Sequence, residues 1–92
     1  AGAIRWSRRA VEAAPRSSFA HTRLGGALVN AGREDDGLAA LREAVALDPQ
    51  NPTAHQFTGI AYNRKRDYKA AAAAFRRSAE LDPDQPRAHY FL

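Results

Sequence analysis

Three histidines, His21, His55 and His89, are evenly spaced along the chain, each directly after an alanine. Imidazole nitrogens are common zinc ligands, but the metal holds them at about 2 Å and needs them to converge on one point. Neighbouring packed helices have axes roughly 8–10 Å apart, so histidines on successive helices form a row instead of a cluster. No acid or further histidine lies three or four positions from any of them. We therefore predict packing residues with one hydrogen-bonded ring nitrogen, and no metal site.

Side chains suited to covalent or acid–base chemistry are scattered along the chain. There is no cysteine, and the serines lie outside any sequence typical of a catalytic nucleophile; they are Ser7, Ser17, Ser18 and Ser78. The acidic run at 34–36 suits the positive end of a helix dipole, which is a structural role. No glycine-rich phosphate loop is present. We expect no catalytic residue, no cofactor and no enzyme activity.

The formal charge is +4, from 14 basic and 10 acidic residues, and it favours acidic partners. Basic residues group at Arg5, Arg8 and Arg9, at 64–66, and at 76–77, with acids between the groups. Nucleic-acid binding would require them to converge on one face with stacking aromatic rings. We expect solvated surface and no nucleic-acid partner.

Composition and length indicate one small, all-α domain. Alanine, the best helix former, occurs 21 times in 92 residues. No apolar run approaches the length that a membrane span needs, so we expect no membrane partner. The first residues lack a signal-peptide core and do not begin with Met. We expect a fragment of a longer protein whose compartment is unknown, with the cytoplasm favoured.

The chain repeats itself at a fixed interval. The segment LDPQNPTAH at 47–55 returns as LDPDQPRAH at 81–89, and 18–51 and 52–85 are identical at ten of 34 positions. Internal repeats of roughly 20–50 residues are typical of solenoids and related arrays. The period predicts two complete repeats, at 18–51 and 52–85. It also predicts the second helix of a preceding repeat at 1–16 and the start of a further repeat at 86–92.

Each period contains the signals of two helices. Asn51 suits an N-cap and Pro52 the first helical position, and Ser17 or Ser18 takes the capping role one period earlier. The polar segments 31–35 and 64–67 interrupt the apolar pattern after the first helix of each copy. The pattern predicts helices over 52–65 and about 69–81, the second one ending before Pro83.

The unit resembles the tetratricopeptide repeat, whose motif runs from a large residue through Leu-Gly and Tyr to Ala, an aromatic residue and Pro. The second copy has His55, Thr58-Gly59, Tyr62, Ala71, Phe75 and Pro83 at these positions, and the first has His21, Leu24-Gly25, Leu28, Gly37, Leu41 and Pro49. The resemblance covers the whole chain, with His, Thr58 and Gly37 as departures. It implies an all-α, right-handed superhelical solenoid of antiparallel helix pairs. Both ends should expose apolar surface, so we expect self-association.

The resemblance also implies a protein-interaction or scaffold module, with a partner peptide held in a concave groove lined by the first helices. By helical phase the predicted groove residues are Phe19, Arg23, Gly26, Asn30, Thr53, Gln56, Phe57, Ile60, Asn63, Arg64, Arg87 and Phe91. Phe57 and Phe91 have a second interpretation as packing residues between neighbouring first helices. The alternative function is a regulatory or substrate-positioning region of a larger enzyme, such as a transferase.

One branch of the family holds the carboxylate tail of a chaperone with a set of Lys, Asn and Arg side chains. The matching positions in this chain are Thr22, Gly26, Phe57, Arg87 and Phe91. Only Arg87 is similar to the required type, so we do not expect a chaperone-tail clamp.

Overall fold

The positions of the helices repeat with the same period as the sequence. The computed structural model describes residues 2–81, with side chains from residue 4 onward, and these residues form five helices. The helices are α1 (Gly2–Ala13), α2 (Ser18–Asn30), α3 (Glu34–Leu47), α4 (Pro52–Arg64) and α5 (Tyr68–Leu81). Both ends of α2 and of α3 recur one period later as the ends of α4 and α5. The all-α helical-repeat solenoid predicted from the sequence is therefore confirmed, and 86–92 lies outside the described residues.

In each pair the start of one helix lies beside the end of the other, so the two helices run antiparallel. Ser18 Oγ at the start of α2 donates a hydrogen bond of 2.8 Å to the carbonyl of Ala44 near the end of α3. In the second pair the donor lies on the other helix, where Ser78 Oγ of α5 donates to the carbonyl of Pro52 at 2.9 Å. In both pairs a serine hydroxyl therefore makes the hydrogen bond at this position. The serine lies on the first helix in one pair and on the second helix in the other.

Glycine allows the two helices of a pair to approach closely. A β-carbon at Gly25 would lie 2.5 Å from Leu41 Cγ, and one at Gly59 would lie 2.7 Å from the Phe75 ring. One at Gly37 would lie 2.9 Å from the Gly25 carbonyl oxygen, which explains why this copy departs from the alanine of the motif. The side chains that fill the space between the helices are buried: Val29, Leu41, Ala44, Ala54, Ala61 and Phe75.

The turn inside each pair contains one residue in the left-handed backbone conformation. Gly32 has φ 83° and Arg66, one period later, has φ 65°. After each of them, a backbone N–H reaches back to the end of the preceding helix, from Arg33 to Leu28 O at 2.8 Å and from Asp67 to Tyr62 O at 2.9 Å. This is the hydrogen bond that ends a helix in the Schellman motif, for which glycine is the usual residue.

The corner between the pairs, residues 48–51, joins α3 to α4. Asn51 Oδ1 accepts hydrogen bonds from the backbone N–H groups of Thr53 and Ala54, which confirms Asn51 as the N-cap of α4. Its Nδ2 donates to Ser18 Oγ at 2.9 Å and to Thr22 Oγ1 at 3.0 Å on α2. One amide therefore caps its own helix and fastens that helix to the preceding pair.

Among the described residues, every helix is too short or too polar to cross a membrane.

We predict that Gly32→Ala lowers the free energy of unfolding by about 1 kcal/mol, because an L-residue resists a positive φ. Nothing lies within 4 Å of the added β-carbon, so the cost is conformational and not steric. The reverse exchange, Arg66→Gly, should raise stability by a similar amount. Urea unfolding followed by far-UV circular dichroism measures both variants, and a stability unchanged in both would contradict this account of the turns.

We predict that Asn51→Ala costs about 2 kcal/mol of stability, and Ser17→Ala only about 1 kcal/mol. Both changes remove an N-cap, since Ser17 Oγ accepts from the Ala20 N–H. Only Asn51 also donates to the hydroxyls of Ser18 and Thr22, and Thr22 is 2 % exposed. Equal losses in urea unfolding would show that the link between the helix pairs contributes nothing.

Candidate peptide-binding groove

A cavity of about 530 Å³ opens where α1, α2 and α4 meet. Its lining residues are Trp6 and Ser7 from α1, Arg23, Gly26, Ala27 and Asn30 from α2, and Phe57 from α4. Four residues that the helical phase assigns to a groove, namely Arg23, Gly26, Asn30 and Phe57, are therefore brought together. The contribution of α1 was not predicted, because α1 corresponds to the second helix of a repeat and the family's groove is lined by first helices.

Phe57 both packs against the protein and lines this cavity. Its ring covers Gly26, where an added β-carbon would lie 2.8 Å from Phe57 Cζ, and it packs against the buried core. The side chain is nevertheless only half-buried. The packing interpretation of Phe57 thus accounts for part of the ring, and the remainder is available to the cavity.

A second cavity, of about 400 Å³, continues the surface between α1 and the start of α2. Trp6, Ser7 and Arg23 line both cavities. Phe19 joins them, with 67 % of its surface exposed, and Arg23 Cζ lies 5.6 Å from the centre of its ring. A guanidinium at this distance from an aromatic ring makes a cation–π contact, which positions the charge while leaving it accessible.

We call this continuous surface the candidate groove. Its principal side chains are Trp6, Phe19, Arg23, Asn30 and Phe57. Trp6 is the most exposed large apolar residue among those described, at 77 %. Phe19, which lines the second cavity together with Trp6, is the next most exposed of these residues.

The other predicted groove residues on α4 lie outside the two cavities. Arg64 donates from Nη1 to the Val29 carbonyl at 3.1 Å, so it joins α4 to the last turn of α2. Ile60 packs against the buried core, Gln56 is half-buried, and Asn63 and Thr53 are exposed. Arg87 and Phe91 lie outside the described residues.

One residue of the basic segment at the end of α4 forms an ion pair. Lys65 forms an ion pair with Asp35 at the start of α3, linking two helices. The hydrogen bond from the Lys65 ammonium to the Asp35 carboxylate raises the pKa of Lys65 above its usual range. This exposed pair joins the residue after α4 to the first turn of α3, whereas Trp6 and Arg23 lie on α1 and α2.

Two histidines form hydrogen bonds to the turns that precede their helices. His21 Nε2 lies 2.8 Å from the Pro15 carbonyl oxygen, and His55 Nε2 lies 3.0 Å from that of Pro49. A carbonyl oxygen only accepts, so Nε2 carries the hydrogen in both rings. The predicted hydrogen bond of one ring nitrogen is confirmed for these two residues, and His89 lies outside the described part. Within that part, no group of three or more His, Asp or Glu side chains is arranged to hold a metal ion.

The net charge of the molecule is concentrated at the end that contains α1. Residues 1–30 include five arginines and a single acid, Glu12; the arginines are Arg5, Arg8, Arg9, Arg16 and Arg23. Residues 31–81 carry eight basic and seven acidic side chains, so their charges nearly cancel. The candidate groove therefore lies in the strongly basic part of the chain.

Within residues 2–81, two antiparallel helix pairs that repeat at one period, preceded by α1, define a helical-repeat protein of the solenoid class. A protein-family model described as Tetratricopeptide repeat matches residues 1–52 and again residues 22–86. The chain belongs to the tetratricopeptide repeat family.

Solved structures of similar fold agree with this assignment. The Arabidopsis OM64 TPR domain superposes with a TM-score of 0.89 at 20 % identity, over 96 % of this chain and 73 % of that one. The first TPR domain of human RPAP3 gives 0.88 at 21 % identity, over 95 % and 68 %. The first TPR of Spaghetti (RPAP3), bound to the HSP90 peptide SRMEEVD, gives 0.87 at 21 %, over 95 % and 69 %. At such identities the likeness shows the fold alone, and no curated protein sequence matches this chain.

We predict that Phe57→Ala lowers the free energy of unfolding by about 2 kcal/mol, because the half-buried ring leaves Gly26 and the adjoining core uncovered. Phe57→Leu should lose less than half of that, since it still covers much of the apolar surface. Urea unfolding measures both changes. A stability unaffected by Phe57→Ala would mean that the ring is free surface and not a packing residue.

Proposed function

We propose that this chain is a non-catalytic protein-interaction module that holds a segment of a partner protein in the candidate groove. The observation that carries the proposal is the cavity of about 530 Å³ in which an indole, a guanidinium, an amide and a phenyl ring converge. Tryptophan and arginine are over-represented among the residues that contribute most to protein–protein affinity. The Asn30 amide is exposed and suits pairing with the backbone of a bound peptide.

We further propose that the bound segment is acidic. Five arginines against one acid in residues 1–30 raise the local concentration of negatively charged partners and speed their association. Arg23, fixed over the Phe19 ring and lining both cavities, is the guanidinium placed to pair with a carboxylate.

Two of the similar structures contain acidic peptides, the HSP90 peptide SRMEEVD in one and the HSP70 peptide SGPTIEEVD in the other. They support peptide binding as a use of this fold. The chaperone-tail clamp is not proposed for this chain, because its positions are filled differently. Thr22 is buried with its hydroxyl bonded to Ser18 O and Asn51 Nδ2, and Gly26 lies under the Phe57 ring.

The proposal is tested by selecting binders from a displayed library of random peptides and measuring their affinity for variants of the chain. We expect the selected peptides to be rich in Asp and Glu. We expect them to bind the double variant Trp6→Ala/Arg23→Ala at least about 10-fold more weakly than wild type, as for residues central to an interface.

Arg76→Ala is the matched control, since Arg76 is an exposed arginine on α5, away from both cavities. It should bind like wild type, and far-UV circular dichroism verifies that all variants keep their helicity. Equal affinity of wild type and the double variant would refute the candidate groove as the binding surface.

A further inference from the structure

A separate surface cavity, of about 240 Å³, lies between α3 and α4, and we call it the Thr58 cavity. Its lining residues are Leu41, Arg42 and Val45 from α3 and His55 and Thr58 from α4. None of them lines the two cavities of the candidate groove. Both helices lie in the interior of the described chain, with α2 before them and α5 after them. The Thr58 cavity therefore belongs to the junction between the two complete repeats.

Thr58 is the residue at which this junction departs from the rest of the sequence. The tetratricopeptide motif has leucine at this position, and the chain has Leu24 one period earlier and Leu92 one period later. The copy at 58 has the smaller threonine. Its hydroxyl donates to the Ala54 carbonyl of the same helix at 2.8 Å. A leucine at 58 would extend into the cavity that Thr58 lines.

Apolar groups form most of the walls of the Thr58 cavity, and contacts inside the protein hold them in place. Leu41 is fully buried beneath it, and Val45, which is half-buried, packs against the same core. The half-buried His55 ring is fixed because its Nε2 donates to the Pro49 carbonyl at 3.0 Å. A ring or a branched chain that enters the cavity would therefore leave water without requiring these side chains to move.

Arg42 is the charged residue of the Thr58 cavity. It is exposed, and none of the positions three or four residues away on α3 is acidic. Within the described residues it forms no ion pair, whereas Arg33 and Arg77 each pair with an acid three positions along the chain. A guanidinium beside an apolar cavity suits a ligand that carries a carboxylate, because its planar group can bind both oxygens.

We propose that the Thr58 cavity binds a small carboxylate whose apolar body is the size of one ring. The carboxylate pairs with Arg42, and the body lies against Val45, His55 and Thr58. The volume sets the size of the ligand, because a closed cavity of about 150 Å³ holds benzene. The site goes beyond the proposed function and shares no residue with the candidate groove, so neither proposal depends on the other.

A ligand in the Thr58 cavity would contact both complete repeats at once, through α3 on one side and α4 on the other. Because it binds the folded chain and not the unfolded one, it raises the midpoint of thermal unfolding as its concentration increases. The competing occupant is an apolar side chain of a partner protein, which needs no carboxylate. A neutral analogue of the ligand distinguishes these two occupants.

The probes are phenylacetate and its neutral analogue phenylacetamide, which have the same ring and differ in charge. Their binding to the whole chain is followed by the amide NMR signals of the residues in the cavity and by the thermal midpoint. We expect phenylacetate to bind with a Kd of about 1 mM or below. Phenylacetamide should bind about 3- to 10-fold more weakly, since it lacks the charge that an exposed guanidinium favours.

Arg42→Gln should weaken phenylacetate binding to the level of phenylacetamide and leave phenylacetamide binding unchanged. Arg76→Gln is the matched control, because Arg76 is an exposed arginine at the same repeat position on α5 and the exchange alters the net charge equally. It should bind both probes like wild type. Equal effects of the two exchanges would show that net charge, and not a contact with Arg42, attracts the carboxylate, which contradicts the inference.

The decisive variant is Thr58→Leu, which fills the cavity with the residue found one period earlier and one period later. It should abolish the binding of both probes while its stability in urea is at least that of wild type, because it adds apolar contacts at the junction. Thr58→Val keeps the size of the side chain and removes its hydroxyl, and it should bind phenylacetate like wild type. Circular dichroism establishes that the variants are folded.

Binding of phenylacetate to a folded Thr58→Leu variant overturns the inference, and so does its loss in Thr58→Val. Equal binding of the two probes by wild type identifies an uncharged apolar group as the occupant and overturns the carboxylate. A wild-type chain whose NMR signals and thermal midpoint respond to neither probe also overturns it. If Thr58→Leu does not fold, the comparison of Arg42→Gln with Arg76→Gln decides alone.

Discussion

The missing β-carbons of Gly25 and Gly59 set the distance between the two helices of each pair, and most of the architecture depends on that distance. With methyl groups there, Leu41 and Phe75 could not lie flat against the facing backbone. The short separation also brings the start of one helix within hydrogen-bonding distance of the end of its partner, where Ser18 and Ser78 act. The space within the pairs is filled by buried side chains such as Val29, Leu41 and Phe75, and the candidate groove lies between α1, α2 and α4.

Side chains at both ends of α4 fix the position of the second helix pair relative to the first. Asn51 joins the cap of α4 to two hydroxyls on α2, and Arg64 joins the end of α4 to the end of α2. Successive first helices are therefore fastened near both ends by polar side chains and along the middle by Phe57 on Gly26. The relative placement of Arg23, Asn30 and Phe57 follows from these three connections.

Most of the fold can be predicted from the sequence because its signals are local and occur twice. Asn51-Pro52 marks the start of a helix whatever surrounds it, and the period transfers each boundary to the other copy. The candidate site is less predictable. Trp6 lies on α1, which corresponds to the second helix of a repeat. Its exposure depends on what packs against α1, and a local sequence pattern does not report that. Arg64 has a long side chain whose phase points to the groove, but its guanidinium reaches the Val29 carbonyl. The Arg64 contact depends on the distance between two helices, and spacing in the sequence does not report that distance.

The serine that closes each helix pair limits how freely the units of this protein can be exchanged. In the first pair the donor is Ser18 on the first helix and the acceptor is the Ala44 carbonyl on the second. In the second pair Ser78 on the second helix donates to the Pro52 carbonyl on the first. A hybrid that joined α4 to α3 would contain Pro52 and Ala44 and no donor at this point, whereas one that joined α2 to α5 would contain two serines. The corresponding helices of the two pairs have the same length and phase. Exchanging a single helix would nevertheless remove or duplicate the serine donor, so the whole pair is the unit that can be exchanged without this change.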